Sequence, residues 1–171
     1  MDDQQGRLVS LDYIAGLITG EGCFCLAVQR IAARKGQLRI TPIFDIFMSD
    51  RETIHIVAES LKSYGLPVYL QDREKAARNH MGIHASGMLR VKRYCETFIP
   101  LMTGQKQAAA ELVFEFINSR LAVERDGKKR PYTYEELHIV EKLRSVNGNV
   151  RGKKTPLEPS EAIRRTPVST R

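Results

Sequence analysis

The sequence has little cysteine and lacks the short motifs of several common catalytic sites. Its three cysteines, Cys23, Cys25 and Cys95, are an odd number without paired CxxC spacing, so we expect a reduced, intracellular chain without a zinc site. It contains no glycine-rich phosphate loop, no GxSxG and no HExxH. These absences leave ATP use and acyl transfer without support, and they predict that the protein uses no nucleotide cofactor.

Long apolar runs are also missing. No stretch approaches the length of a membrane span, so we expect no membrane partner. The first residues, 1–5, lack the basic and apolar regions of a signal peptide. We therefore expect a protein that is not secreted and that works in the cytoplasm, an organelle or a nucleoid.

What the sequence does have is positive charge. Its net charge of +7 and its pI near 9.5 predict a polyanionic partner. At 171 residues we expect one compact domain over residues 1–150, with enough of the 42% hydrophobic residues to fill a core. Residues 151–171 mix proline, glycine, serine and threonine with basic side chains and show no periodicity, which predicts a mobile basic tail.

Hydrophobic periodicity predicts an α+β fold with the order αββαββα, followed by two more helices. Alternating side chains indicate strands at 23–30, 37–47, 68–72 and about 78–85. Capping boxes at 49–52 and 133–136 mark the starts of two helices, and further helices are expected at about 87–98 and 105–123. Four antiparallel strands with one apolar face predict a sheet that helices cover on a single side.

Residues 13–22 predict a helix whose exposed face carries unusually small side chains. Ser10 is suited to cap its start, and glycines stop it at its end. Gly16 and Gly20 lie four residues apart and share one face, with Ala15 and Thr19 beside them. Because a glycine costs up to about 1 kcal/mol in a helix interior, this face predicts that another helix packs closely against it.

The same helix ends in the carboxylate of Glu21. If the packing partner is the same helix of a second copy, two Glu21 side chains meet at the base of the pair. Like charges that close are unstable without a cation, and a shared divalent metal is also a reagent for phosphodiester hydrolysis. The sequence therefore predicts a homodimer interface at Ala15, Gly16, Thr19 and Gly20 beside a metal site.

The segment Ile14-Ala-Gly-Leu-Ile-Thr-Gly-Glu-Gly22 resembles the signature of the LAGLIDADG homing endonucleases. The metal-binding acid of that family falls on Glu21, and the glycine that lends a carbonyl falls on Gly20. The family's earlier aspartate is here Thr19, a departure at a position that matters more for structure than for chemistry. Only one motif is present, which is similar to the single-motif members that act as homodimers.

The resemblance continues beyond the motif, through residues 42–46 before an Asp50-initiated helix and through Pro100-Leu followed by Lys106-Gln107. It implies a site-specific, Mg²⁺-dependent endonuclease that cuts both DNA strands across the minor groove and serves intron mobility. Mn²⁺ is expected to substitute for Mg²⁺, and Ca²⁺ is expected to support binding without cleavage. Depending on the alignment, the family's basic residue near the scissile phosphate falls on Gly104 or on Lys106. We predict that Lys106 supplies this charge and that Gln105 takes part in catalysis.

The polar face of the predicted sheet carries side chains that read base edges. Arginine bridges guanine O6 and N7, and glutamine does the same for adenine N6 and N7. Cys25, Ala27 and Ile43 lie among these side chains, which is unusual for a face meant only for water. Together with basic residues of the turns and the tail, the predicted DNA-binding residues are Gln29, Arg30, Arg34, Lys35, Gln37, Arg39, Thr41, Asp45, Tyr69, Gln71, Arg73, Arg78, His80, His84, Arg151 and Lys153.

Two other functions remain open on the same scaffold. The protein could assist intron splicing as an RNA maturase, or it could be a DNA-binding regulator that no longer cuts. Intact Glu21 argues against the second function, whereas the sequence does not distinguish the first. The target sequence and the genetic element that encodes the chain are not readable from the residues.

Overall fold

The computed structural model describes residues 8–32, 37–73, 80–124 and 130–148, and they form an α+β fold. The helix–strand–strand order predicted from the periodicity is confirmed, and two helices follow it. The elements, in chain order, are α1 (Leu11–Glu21), β1 (Gly22–Ile31), β2 (Gln37–Met48), α2 (Arg51–Ser63), β3 (Tyr69–Arg73), β4 (His80–Ser86), α3 (Met88–Phe98), a short 3-10 helix (Ile99–Leu101), α4 (Gly104–Val123) and α5 (Tyr134–Val146). The predicted tail at 151–171 lies outside the described residues.

The four strands form one antiparallel sheet in the order β1-β2-β4-β3. The strands β1 and β2 pair from Gly22 opposite Ile46 to Ile31 opposite Gln37. The far end of β2 pairs instead with β4, down to Met48 opposite Met81. Because β1 begins directly after α1, the end of that helix lies at the end of the sheet where Gly22 pairs with Ile46, near the last residues of β2.

One face of the sheet packs against the helices and forms the core. Phe24, Phe44, Ile46 and Ile83 alternate along their strands, and none of them is exposed. The rings of Phe24 and Phe44 lie 4.9 Å apart, and Phe44 stacks on Tyr94 of α3 at 4.3 Å. Burial of apolar surface contributes a free energy of about 25 cal/mol per Å². These contacts therefore hold the helices on this side of the sheet.

Helix α2 begins after Asp50, as the Asp50-initiated helix of the family resemblance predicts, and one residue later than the capping box at 49–52 implies. Asp50, not Ser49, is the N-cap, and its carboxylate accepts from the backbone N–H of Thr53 at 3.1 Å and from the Thr53 hydroxyl at 2.7 Å. The capping box expected at 49–52 is therefore wrong. A carboxylate offers two acceptor oxygens at this position, where a serine hydroxyl offers one.

Helices α4 and α5 are joined by a buried ion pair. Arg120 is 2% exposed and donates to the fully buried carboxylate of Glu136 at 2.7 Å. Glu136 also accepts from the backbone N–H of Thr133, whose hydroxyl accepts in turn from the Glu136 N–H, so the capping box predicted at 133–136 is confirmed. In the described part of the chain no helix combines the length and apolar character that crossing a bilayer requires.

Candidate metal site and nucleic-acid interface

The end of α1 presents an unpaired carboxylate. Glu21 is the last residue of this helix and is exposed, and no residue that the structure describes forms an ion pair or hydrogen bond with its side chain. The last carbonyls of a helix lack partners within it and carry a partial negative charge. The last turn of α1 contains no basic residue. Glu21 and the neighbouring Gly20 carbonyl therefore form a local concentration of negative oxygen atoms that favours a cation.

Lys106 reaches this place from another helix. It is the third residue of α4, and its Nζ donates to the Gly22 carbonyl, one residue beyond Glu21. A lysine in the first turn of a helix is electrostatically unfavourable, but here its ammonium lies against the negative end of α1. The structure thus brings Lys106 to the backbone of the residue after Glu21, a role at the end of α1 that the sequence did not indicate.

Gln105 does not accompany Lys106 into the site. Its side-chain amide donates to the Val146 carbonyl at the end of α5. Asn147, the residue that caps the end of α5, donates to the Phe24 carbonyl at 3.0 Å and so ties this helix end to β1. Adjacent residues of a helix face different neighbours, which explains why Gln105 and Lys106 diverge. The catalytic assignment of Gln105 gains no support from this arrangement.

The face of α1 that carries small residues is exposed, but it does not include Ala15 as the sequence predicted. Gly16, Thr19 and Gly20 are exposed, and a Cβ added at Gly16 or Gly20 would meet nothing within 4 Å in this chain. Ala15, at 2% exposure, is part of the core beside Ile14 and does not contribute to this face. Contacts within this chain therefore do not require glycine at these two helical positions.

The second face of the sheet is the one that the helices leave uncovered. Residues directly opposite in antiparallel strands share a face, and the register aligns one row across all four strands: Cys23, Asp45, His84 and Tyr69. The other predicted DNA-binding residues at the register positions of this face are Gln29, Gln37, Arg39, Thr41, Gln71, Arg73 and His80. The periodicity therefore placed these residues correctly, whereas what they bind stays a prediction.

Some predicted contacts fall elsewhere. Arg30 occupies the alternate register position, opposite Leu38 at the exposed end of β1, and so does not share the open face. The remaining predicted DNA-binding residues, which come from the turns and the tail, lie outside the described residues: Arg34, Lys35, Arg78, Arg151 and Lys153.

Two features of the open face were missed at the sequence level. Gly82 allows the ring of Phe47 to cross β4, because a Cβ at this glycine would lie 2.3 Å from Phe47 Cδ1. A glycine inside a strand pattern is the available signal for such a close approach. Cys23 is the second feature. A hydrogen bond from the Cys25 thiol lowers the pKa of Cys23 to about 7, burial opposes this shift, and nearby Lys106 adds to it.

Comparison with known proteins identifies this arrangement of helices and strands. No protein-family profile matches the sequence, and no curated protein matches it. Among solved structures, the homing endonuclease I-CvuI in complex with its target in the presence of 2 mM Ca superposes with a TM-score of 0.63 at 17% identity, covering 89% of this chain and 88% of that one.

Two further structures extend the comparison. The homing endonuclease I-TnaI gives a TM-score of 0.62 at 16% identity, with 91% of this chain and 94% of that chain covered. The meganuclease I-SmaMI, bound to uncleaveable DNA, gives a TM-score of 0.61 at 15% identity, with 82% of this chain but only 45% of that one covered. The chain has the fold of the LAGLIDADG homing endonucleases.

Proposed function

We propose that this protein is a site-specific, double-strand DNA endonuclease that works as a homodimer with Mg²⁺. The observation that carries the proposal is the exposed and unpaired Glu21 carboxylate at the negative end of α1. It lies next to a helix face open to a partner and at the edge of an uncovered polar sheet. Catalysis by a dimer on DNA would account for these three features together.

The residues at the end of α1 suit Mg²⁺. This ion prefers oxygen ligands and is usually held by one or two carboxylates together with phosphate oxygens. No group of three or more acidic, histidine or cysteine side chains in the described ranges forms a metal cage, so the DNA and a second protomer would complete the ligand set. Glu21 and the Gly20 carbonyl would hold the ion, which when bound polarises a scissile phosphate and activates water.

The protein's own groups would position the DNA and balance its charge. Lys106, held against the Gly22 carbonyl, would supply a fixed positive charge close to the scissile phosphate. The open face of the sheet would read bases in the major groove, because a strand of about eight residues spans roughly 27 Å. Solved complexes of I-CvuI with DNA in the presence of Ca or Mg support the assignment of DNA and a divalent ion.

Pairing of two chains would complete the site. The chain covers 88% of I-CvuI but only 45% of I-SmaMI, so that longer chain has room for a second unit of this size. Two protomers related by a two-fold axis through the Gly16 and Gly20 face would bring two Glu21 carboxylates together. Such a dimer would favour a pseudo-palindromic target.

The decisive experiment uses double-stranded DNA that carries the intron-free insertion site of the chain's own gene. We expect cutting of both strands in Mg²⁺ and binding without cutting in Ca²⁺. Glu115→Gln, which removes an exposed carboxylate from α4, is a matched control and should cut like the parent. Specific binding that never leads to cutting in Mg²⁺ would favour a DNA-binding regulator. Accelerated splicing of the intron RNA without DNA cleavage would favour a maturase.

A further inference from the structure

The row that crosses all four strands contains a tightly paired acid and histidine. His84 Nδ1 lies 2.5 Å from Asp45 Oδ1, at the point where β4 pairs with β2. The side chains are 26% and 22% exposed, so both are partly shielded from water. Tyr69, which is 64% exposed, flanks His84 on β3. The pair thus lies near the middle of the open face, with its two side chains joined by one hydrogen bond.

The hydrogen bond fixes which nitrogen of a neutral His84 carries the proton. An ionised carboxylate only accepts hydrogen bonds, so Nδ1 must be the donor to Asp45. The other nitrogen, Nε2, is then an acceptor. No hydrogen bond to Nε2 occurs within the described residues, which leaves its lone pair free for a ligand on the open face.

An acceptor in the major groove distinguishes bases by their exocyclic groups. Adenine N6 and cytosine N4 are amino donors, whereas guanine O6 and thymine O4 are acceptors that would face the His84 lone pair without a proton between them. We propose that His84 selects an amino-bearing base, adenine or cytosine, at one position of the target, and that Asp45 is the positioning residue that sets this preference. The inference rests on the proposed function.

The test measures equilibrium binding in Ca²⁺ to the target and to every single base-pair variant of it, at pH 8. At one position in each half-site we expect the parent to prefer adenine or cytosine over guanine or thymine by roughly five- to tenfold. His84→Ala should abolish this preference and leave the other positions unchanged. His84→Phe, which keeps a ring and removes both nitrogens, provides a second variant in case the alanine variant folds poorly.

Asp45 is tested through its dependence on His84. Asp45→Ala frees the imidazole to adopt either tautomer, so the preference at that same position should flatten. In the His84→Ala background the Asp45 change should have no further effect, since groups that act through one another are not additive. Ser86→Ala removes a polar side chain two residues along the same face of β4 and should leave the preference intact.

The outcomes separate this inference from the proposed function. Sequence-specific binding that His84→Ala leaves unchanged at every position would overturn the inference alone. A parental preference for guanine or thymine at the affected position would also overturn it, because that preference requires a donor. Failure of the parent to bind its insertion-site DNA specifically would overturn the proposed function together with the inference.

Discussion

Charged groups are paired at the junction of α4 and α5 but not at the end of α1. At the junction, Arg120 donates to Glu136, to Glu124 and to the carbonyls of Arg130 and Pro131. The end of α1 instead exposes Glu21, which has no ion-pair partner among the described residues. One region satisfies every hydrogen-bonding group of a buried arginine, and the other leaves a carboxylate unpaired.

The difference between the two regions indicates which charged group serves the fold and which serves function. A buried charge must be paired, because removing one partner leaves the other uncompensated. An exposed carboxylate at the negative end of a helix stabilises nothing, since it adds like charge to like charge. We infer that Glu136 is present for the fold and that Glu21 is present for a ligand. Changes at the two positions should therefore have separable effects on stability and on cleavage.

The largest expected effect is on cleavage, at Glu21. Glu21→Gln keeps the shape of the side chain and removes the charge that would hold the metal, so single-turnover cutting should fall by more than about 10². Affinity for the target should equal or exceed that of the parent, because the change would relieve repulsion between the two Glu21 carboxylates of the proposed dimer. Thermal unfolding should be unchanged or slightly higher. Mobility-shift and cleavage assays check both parts, and retained cutting in Mg²⁺ would remove Glu21 from the mechanism.

The matching change at the junction should act on stability instead. Glu136→Ala leaves Arg120 buried without its carboxylate, which is expected to lower the free energy of unfolding by about 3–5 kcal/mol. Below the new melting temperature, the cutting rate of the folded fraction should stay parental. Denaturant titration gives the first value and single-turnover cleavage gives the second. Equal effects of the two variants on cleavage would contradict the division between the regions.

Lys106 could act as a catalytic charge or as a phosphate contact, and a single variant distinguishes the two roles. As a catalytic charge, its loss in Lys106→Met should slow single-turnover cutting by roughly 10² with little change in affinity. As a phosphate contact, its loss should instead weaken binding, reduce the salt dependence and leave the saturated rate parental. Lys142→Met, an exposed position on α5, is the control for general loss of charge.

The smallest expected effect concerns assembly. Within one chain a Cβ added at Gly16 meets nothing within 4 Å and the position is exposed, so Gly16→Leu should preserve the fold of the single chain. Across a helix pair it should weaken association by about 1–3 kcal/mol, as overpacking does. Sedimentation and circular dichroism together test this expectation, with Glu59→Leu on α2 as a control that adds an exposed leucine elsewhere. A normal, active dimer of the Gly16 variant would show that this face is not the interface.

The sequence predicted faces and order well, because these follow from periodicity. Alternation along β1 and β2 correctly separated Phe24 and Phe44 from Thr41 and Asp45. Alternation does not tell which side chains meet across strands that are far apart in sequence, so the pairing of Asp45 with His84 needed the β2–β4 register.

Local rules also failed at single positions for identifiable reasons. Ala15 is next to Gly16 in the helix, yet its methyl group packs in the core. It lies on the same side of α1 as the buried Ile14 and Ile18. Gln105 is adjacent to Lys106, and one residue of helix turns its side chain toward α5. Ser49 fits a capping box in sequence, but Asp50 beside it is the stronger acceptor. In each case a neighbour distant in sequence or a competing group decided the outcome.

The most direct test of the central claim is calorimetric titration of Ca²⁺ into the complex of the protein with its target DNA. Ca²⁺ is the suitable ion because we expect it to bind without cutting the DNA. If Glu21 is reserved for a metal, the parent complex should bind Ca²⁺ saturably, and the complex formed by Glu21→Gln should show no comparable binding. The same heat and stoichiometry from both complexes would contradict the claim that the unpaired carboxylate of α1 holds the metal.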